Sequence, residues 1–431
     1  MSPDLTRVAA ITGIGLVTPV GSDLDEFFAA LCAGRSGLRR PPDGHPAAGV
    51  TDVVGLAPQI DPASVLPPKD TRAVDRFVLL GLAAADRAVA DAGLAIGQNA
   101  DPLRVAVVVS SGGGGFETFE KYSHARLARG RAAVSPYLLP GMLPNMATAR
   151  VAIKYGARGF SSAIVTACAA GAQSIAEGFR LITGGDADVV ICGGTESPLH
   201  PTIVAAFGNA RALATGWENP VEASRPFDKR RNGFVLGEGA GVFVLERADH
   251  AQARGARVHA QVLGWGATTD AHHATTPRAD GEGAAACMRQ ALGRAGLSPA
   301  DVAYINAHGT STTLGDVAET RAIRSVFGER NQPAVSSIKS VTGHMLGASG
   351  AVEAAACALA VSRGLLPPTH NLDDPDPECD LDHVLGEPRA GRVPVALSNS
   401  FAFGGHNISL LFGPASGPAS TQPASSIRGG R

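Results

Sequence analysis

Three residues of this chain combine a reactive side chain with a setting that packing alone seldom calls for. Cys168 stands in Ser161-Ser162-Ala163-Ile164-Val165-Thr166-Ala167-Cys168-Ala169-Ala170-Gly171, where small residues lead in and an Ala-rich helical stretch leads out. A thiol at a helix start meets unpaired N–H groups and the positive end of the macrodipole. Both favour thiolate, and the same N–H groups can serve an oxyanion. The plain alternative is a small buried cysteine. His308 opens His308-Gly309-Thr310-Ser311-Thr312 directly after an apolar run, and His344 falls in Lys339-Ser340-Val341-Thr342-Gly343-His344-Met345-Leu346-Gly347. Either histidine, taken singly, reads equally well as a satisfied structural residue. Strand ends in α/β sheets are where ligands gather, and a thiol with two such histidines points to thiol-based acyl chemistry.

These side chains need a scaffold that brings distant turns together. Val8–Val17, Val105–Val109, Val189–Cys192, Val242–Leu245, Val302–Asn306 and Val393–Leu397 read as buried strands. Asp75–Ala92, Gly171–Thr183, Gly283–Ala295 and Gly350–Arg363 read as helices. The alternation predicts an α/β fold with mostly parallel sheets covered by helices. The plan also repeats. Ala92-Gly93-Leu94, the strand to Val109 and the turn Ser110-Ser111-Gly112 are echoed by Ala295-Gly296-Leu297, the strand to Asn306 and Ala307-His308-Gly309. Gly239–Leu245 is echoed in the same way by Gly404–Leu410. Two halves of one design, 1–255 with the cysteine and 256–413 with both histidines, are expected. Residues 414–431, rich in Pro, Ala, Ser and Gly, are expected to be a disordered tail. Arg39–Pro68, with many prolines and glycines, is expected to be an irregular surface connection.

Composition narrows the function classes. The 431 residues carry a formal net charge of −2, which lacks the basic footprint of a nucleic-acid binder. Six cysteines in a chain long enough to bury a large core do not make a disulfide scaffold, and a cytoplasmic protein is expected. The apolar run after Arg7 is preceded by Asp4 and followed by Thr18-Pro19-Val20-Gly21, unlike a signal peptide, and no stretch has the length of a membrane span. Cys32, Cys192, Cys287, Cys357 and Cys379 have no metal-type spacing, so no metal site is expected.

Thr166-Ala167-Cys168, Asn306-Ala307-His308-Gly309-Thr310-Ser311-Thr312, Lys339-Ser340-Val341-Thr342-Gly343-His344 and Asn399-Ser400-Phe401-Ala402-Phe403-Gly404-Gly405 occur in that order. Together they resemble the motif set of the β-ketoacyl-acyl carrier protein synthases, the elongating condensing enzymes of thiolase fold. Ser224-Arg225-Pro226-Phe227-Asp228 and Gly237-Glu238-Gly239-Ala240-Gly241 also fit, and the likeness runs from Arg7 to about Phe412. The resemblance implies a duplicated thiolase-like fold with α-β-α-β-α layers. It implies that Cys168 takes an acyl group from a phosphopantetheine thioester, with the N–H groups of Cys168 and Phe403 as oxyanion hole. His308 and His344 would then stabilise the enolate left when malonyl-acyl carrier protein loses carbon dioxide. Lys339 would hold the charge and orientation of the site, where spacing alone would also allow a surface lysine. Asp316, Glu319 and Glu353 would orient the catalytic groups, or else form a solvated helix face. Thr310 and Thr312 would bond the pantetheine amides, and Phe401 and Phe403 would gate the acyl entrance. The partners implied are acyl carrier protein and a second subunit, identical or a chain-length factor, with Ser161–Thr166 pairing across the two-fold. No bound cofactor is implied, since the substrates ride on the carrier's phosphopantetheine.

The sequence departs from the family pattern in places. Ala169-Ala170 follow the cysteine where Thr or Ser is common, Ala402 stands between the gate phenylalanines, Asn232 replaces a frequent Asp, and His406 a frequent Thr. The pathway stays open between bacterial type II polyketide and fatty-acid synthesis. In the resembling fatty-acid enzymes the region of Ser110–Gly115 lines the acyl channel, some with a bulky aliphatic residue at the place of Gly113. Glycine there is expected to lengthen the pocket, unless the run serves only turn conformations. The rivals are weaker. Gly13-Ile14-Gly15-Leu16-Val17-Thr18 misses the third glycine of a nucleotide fingerprint. A coenzyme A thiolase needs a second cysteine that Phe401–Asn407 lacks, and a non-elongating chain-length factor typically lacks the cysteine that stands at 168. Asp270-Ala271-His272-His273 is too short a cluster to argue for a metal.

Overall fold

The computed structural model describes residues 8–71, 74–330 and 332–415. From residue 416 onward the expected tail lies outside them. Nine strands of the described residues form one sheet: β1 (Ala9–Val17), β2 (Val105–Ser110), β3 (Val189–Glu196), β4 (Gly239–Arg247), β5 (Ala260–Thr269), β6 (Tyr304–Asn306), β7 (Ala334–Ser336), β8 (Ala396–Ala402) and β9 (His406–Gly413). Their order is β2-β3-β4-β1-β5-β9-β8-β6-β7. Apart from β7, which adds a parallel pair to β6 at one outer edge, the order reads alike from either side towards the middle. β2 and β3 pair in parallel, then β4 and β1 antiparallel; β6 and β8 pair in parallel, then β9 and β5 antiparallel. The two sets meet where Ala9–Ile11 of β1 pair antiparallel with Ala260–Val262 of β5.

This corrects the expectation of mostly parallel sheets: the pairs from β3 to β8 across the middle are all antiparallel. Hydropathy marks a buried strand and carries no direction. β8 also starts later than Val393 and runs on to Ala402, because its ladder to β9 includes the buried polar run Ser398-Asn399-Ser400.

Helices close the faces. α1 (Arg76–Asp91) covers one side of β1, β3 and β4, and α4 (Glu282–Ala295) covers β5 and β9 on the far side, with α5 (Thr313–Phe327) against it. Between the two halves of the sheet lie α2 (Ala170–Thr183) and α6 (Ser349–Arg363), packed on each other and on both sets of strands. The result is five layers, helix-sheet-helix-sheet-helix. The central layer is built from small residues: Ala351, Ala354, Ala355, Ala356, Ala358 and Ala360 of α6 are all buried, so the two halves of the sheet can approach the two helices closely. Gly13 and Gly15 belong to the same device. A methyl group at Gly13 would lie 2.1 Å from the Ala88 carbonyl oxygen, and one at Gly15 would lie 1.9 Å from that of Ala84. The near-match to a nucleotide fingerprint is thus a helix seated against a strand. Among the described residues no helix is long and apolar enough to cross a membrane. α3 (Pro201–Asn209) lies at the mouth of the site described next.

Candidate active site

Cys168 lies in a single 3-10 turn, Ala167–Ala169, that runs directly into α2. Ala167 is held at φ 48°, a left-handed conformation that costs a non-glycine residue about 1–2 kcal/mol. Leu346, two residues after His344, has φ 43°, and Ser311, three after His308, has φ 71°. Strained backbone therefore flanks all three reactive side chains, as it does where a fold over-determines a functional geometry.

The three converge on one cavity of about 390 Å³. Cys168, His308, His344, Phe401 and Phe403 line it, together with Thr310, Thr312, Asp316 and Glu319. The His308 and His344 rings stand edge-to-face, 5.4 Å between centroids at 86°. Lys339 and Glu353 sit outside the cavity wall as a fully buried ion pair. The Lys339 ammonium also donates to the His308 carbonyl oxygen at 2.6 Å and lies 3.4 Å from His308 Nδ1. An ammonium has only protons to offer, so Nδ1 accepts and the His308 proton resides on Nε2. His344 Nδ1 is 3.0 Å from Ser349 Oγ, which leaves its Nε2 free of protein partners among the described residues.

Burial and the Lys339 charge hold both imidazoles well below the ordinary histidine value; for His308 the neighbouring His344 adds to the effect. A neutral ring with its proton on Nε2, as at His308, is a hydrogen-bond donor suited to a developing negative charge. Cys168 corrects one expectation. Burial pushes its thiol up to about 12, outweighing the Lys339 charge and the N–H groups of Phe403 and Cys168 that are directed at the sulfur. The helix start alone does not yield a resting thiolate, because desolvation disfavours the charged form more than one turn of dipole favours it.

Asp316, Glu319 and Glu353 are buried, so the solvated-face alternative fails. Glu319 accepts the N–H groups of His308 at 2.9 Å and Gly309 at 2.8 Å, and burial raises it to about 7. Asp316 accepts from Phe227 N–H at 2.8 Å and Ser311 N–H at 3.2 Å. The Thr310 and Thr312 hydroxyls lie 3.0 Å apart on the cavity wall. Phe403, 37% exposed, packs 6.2 Å from the Phe207 ring of α3, and the Phe234 ring meets His344 edge-on at 5.3 Å. Gly113 does not line this cavity: a methyl group there would lie 2.0 Å from the ring of Phe116, which fills the space. In the glycine run only Gly114 has positive φ, so a shared need for unusual turns does not explain all four.

Sequence reasoning missed Glu196, Ser349, Asn399, Phe207 and Phe234. Asn399 donates to Glu319 at 3.3 Å and accepts from Ser409 at 2.8 Å, which links β8 and β9 to the His308 turn. The one available sign was a carboxylate closing an apolar strand, Val189–Glu196.

Residues 6–251 match the family model for the beta-ketoacyl synthase N-terminal domain, and residues 259–373 that for its C-terminal domain. The chain belongs to the beta-ketoacyl synthase family. It is 44% identical to a protein of Synechocystis named 3-oxoacyl-[acyl-carrier-protein] synthase 2, over 93% of this chain and 97% of that one. Among solved structures it is similar to a beta-ketoacyl synthase from Burkholderia phymatum, with TM-score 0.88 and 37% identity over 95% of this chain and 99% of that one. It is also similar to the ishigamide ketosynthase/chain length factor, with TM-score 0.87 and 34% identity over 95% and 99%.

Proposed function

We propose that the protein catalyses decarboxylative Claisen condensation, extending an acyl group held on Cys168 with a malonyl unit held on acyl carrier protein. The observation that carries the reading is one cavity holding a buried thiol beside two N–H groups and a pair of neutral imidazoles with free Nε2 atoms. In the first step the Cys168 sulfur attacks the carrier thioester. The tetrahedral oxyanion is received by the N–H groups of Cys168 and Phe403, and the thiol proton leaves with the carrier's pantetheine sulfur. In the second, malonyl-carrier protein binds past Thr310 and Thr312, its C–C bond breaks, and carbon dioxide departs. His308 and His344 donate to the thioester oxygen as the enolate forms. A preorganised donor of this kind is worth about 3–4 kcal/mol. The enolate carbon attacks the acyl-cysteine, the C–S bond breaks, and the departing thiolate takes a proton from solvent, balancing the carboxylate charge lost with the carbon dioxide. Lys339 keeps the His308 proton on Nε2 and holds the ring, while Glu319 and Asp316 hold the turn, and Phe401 and Phe403 flank the entrance.

Acyl carrier protein is the proposed partner, in a cytoplasmic bacterial type II pathway for polyketide or fatty acid. A second subunit, identical or a chain-length factor, completes the assembly. Ser161 extends β2 by a single bridge from Val107, and Phe160 and Val165 beside it are 47% and 53% exposed. We read the chain as two halves, 1–255 and 256–413, which the strand order supports. The test is intact-protein mass after incubation with acyl-acyl carrier protein. One acyl group, mapped to Cys168 and absent from Cys168→Ala, supports the proposal; no acylation of the parent overturns it.

A further inference from the structure

Glu196 ends β3 inside the molecule, fully buried and off the wall of the substrate cavity. Among the described residues every hydrogen bond of its carboxyl is one it accepts. It accepts from Ser111 Oγ at 2.7 Å, Gly112 N–H at 2.7 Å and Gly113 N–H at 3.2 Å, all in the turn after β2. It also accepts from Gly347 N–H at 3.0 Å, three residues beyond His344. Ser111 Oγ in turn accepts from Gly114 N–H at 2.8 Å. The four hydrogen bonds favour the carboxylate form and oppose burial, which on balance pushes Glu196 above the ordinary carboxylate range.

Around this carboxylate four chain segments meet backbone to backbone. A methyl group at Gly112 would lie 3.0 Å from the Ala167 carbonyl oxygen and 2.9 Å from Glu196 Oε2. One at Gly347 would lie 2.5 Å from Gly112 N. Methyl groups at Gly171 and Gly194 would lie 2.7 Å and 2.3 Å from the Gly347 carbonyl oxygen. The Cys168 turn, the start of α2, the turn after β2 and the His344 turn are thus locked in one contact. Glu196 is the side chain that bonds two of these segments, from opposite halves of the chain, at once.

We propose that Glu196 is a positioning residue that sets the separation of the Cys168 turn from the His344 turn, acting through Gly112 and Gly347. Thioester exchange uses Cys168 and its adjacent N–H groups. Condensation also needs the acyl carbon within reach of an enolate held by His344. Loosening the clamp therefore slows the second step more than the first. The inference rests on the condensation reading above, and one of its readouts needs no substrate.

The experiment compares the full-length parent with Glu196→Gln and Ser111→Ala. Glutamine keeps the shape, removes the charge and turns an NH₂ towards N–H groups. Acyl-Cys168 formation from acyl-acyl carrier protein is expected to change little, while condensation with malonyl-acyl carrier protein falls about tenfold to hundredfold. The Glu196 charge raises the Cys168 thiol. Its removal is therefore expected to move the pH profile of Cys168 alkylation by iodoacetamide to lower pH, a readout that loss of packing alone would not move. Ser111→Ala removes one donor and keeps the charge, so condensation should fall about fivefold with the alkylation profile unmoved. Parental condensation together with a parental alkylation profile in a folded Glu196→Gln overturns the proposal. If that variant does not fold, parental condensation in Ser111→Ala overturns it. A parent that fails to condense refutes the functional reading instead, and the alkylation profiles still decide whether Glu196 acts on the cysteine.

Discussion

The turns that follow β2 and β6 occupy corresponding places in the two sets of strands and are held the same way, yet they are used differently. After β2, Glu196 accepts the N–H groups of Gly112 and Gly113. After β6, Glu319 accepts those of His308 and Gly309. In each case a buried carboxylate spans two consecutive backbone donors and fixes the turn. The first turn is nearly all glycine and serves as a surface against which the Cys168 and His344 turns are pressed. The second carries the His308 imidazole itself. A repeated scaffold has one copy specialised for close backbone contact and the other for chemistry, and the cavity lies where they meet.

The sharpest break in the second turn should come from below it. Lys339→Met leaves Glu353 as a buried charge without its partner and strips His308 of the ammonium that fixes its proton. Losing one member of a buried pair costs about 3–5 kcal/mol, so a urea midpoint well below the parent's is expected, with condensation lost even where the variant stays folded. Glu319→Gln should cost about 1–3 kcal/mol, because an amide cannot accept both turn N–H groups without leaving polar groups unsatisfied. It should slow decarboxylation more than Glu196→Gln does, since it releases a turn that bears a reacting side chain. Equal losses from the two substitutions would erase the distinction drawn here.

Proton uptake provides a finer test. His308 and His344 lie well below the ordinary histidine value when folded. Below about pH 6.5 the unfolded chain binds protons at these residues and the native state does not. Each therefore supports stability above that pH, and the support is lost as the pH falls. Ring NMR signals of both residues should show no change of charge between pH 8 and pH 6, and an inflection near 6.5 at either would refute the neutral pair. The smallest effect is expected at Gly113. A side chain there must displace the Phe116 ring, and neither residue lies on the cavity wall. Gly113→Ile is therefore expected to leave the chain-length profile of loading unchanged. A profile shifted against long acyl groups would show that the position reaches the acyl channel.

Much of the site was legible in the sequence because its reactive residues stand in turns of small residues, where side chains meet backbone groups. Cys168, His308 and His344 each carry that local sign. Glu196 does not. Its partner Gly347 lies 151 residues away, and a carboxylate at the end of an apolar strand looks like the start of a surface loop. Ser349 was likewise hidden, since an ordinary serine at a helix start reads as a cap until His344 is folded against it. The strand positions were readable from β-branched runs, but their directions were not. The antiparallel middle of the sheet is set by which strands the helical crossovers leave adjacent, and β8 was blurred by its buried serines and asparagine. Phe207 and Phe234 come together only through tertiary packing.

The proposed mechanism divides labour between the halves, with the acyl group on a first-half cysteine and the enolate held by second-half histidines. It is tested most directly by loading parent, His308→Ala and His344→Ala from acyl-acyl carrier protein, adding malonyl-acyl carrier protein, and following the mass of the protein. All three should gain the acyl group on Cys168. The parent should then discharge it as the β-ketoacyl product forms, while the histidine variants retain it with a rate about 10²–10³-fold lower. Discharge by either variant at the parental rate, or an acyl group found elsewhere than Cys168, would rule out this division between the halves.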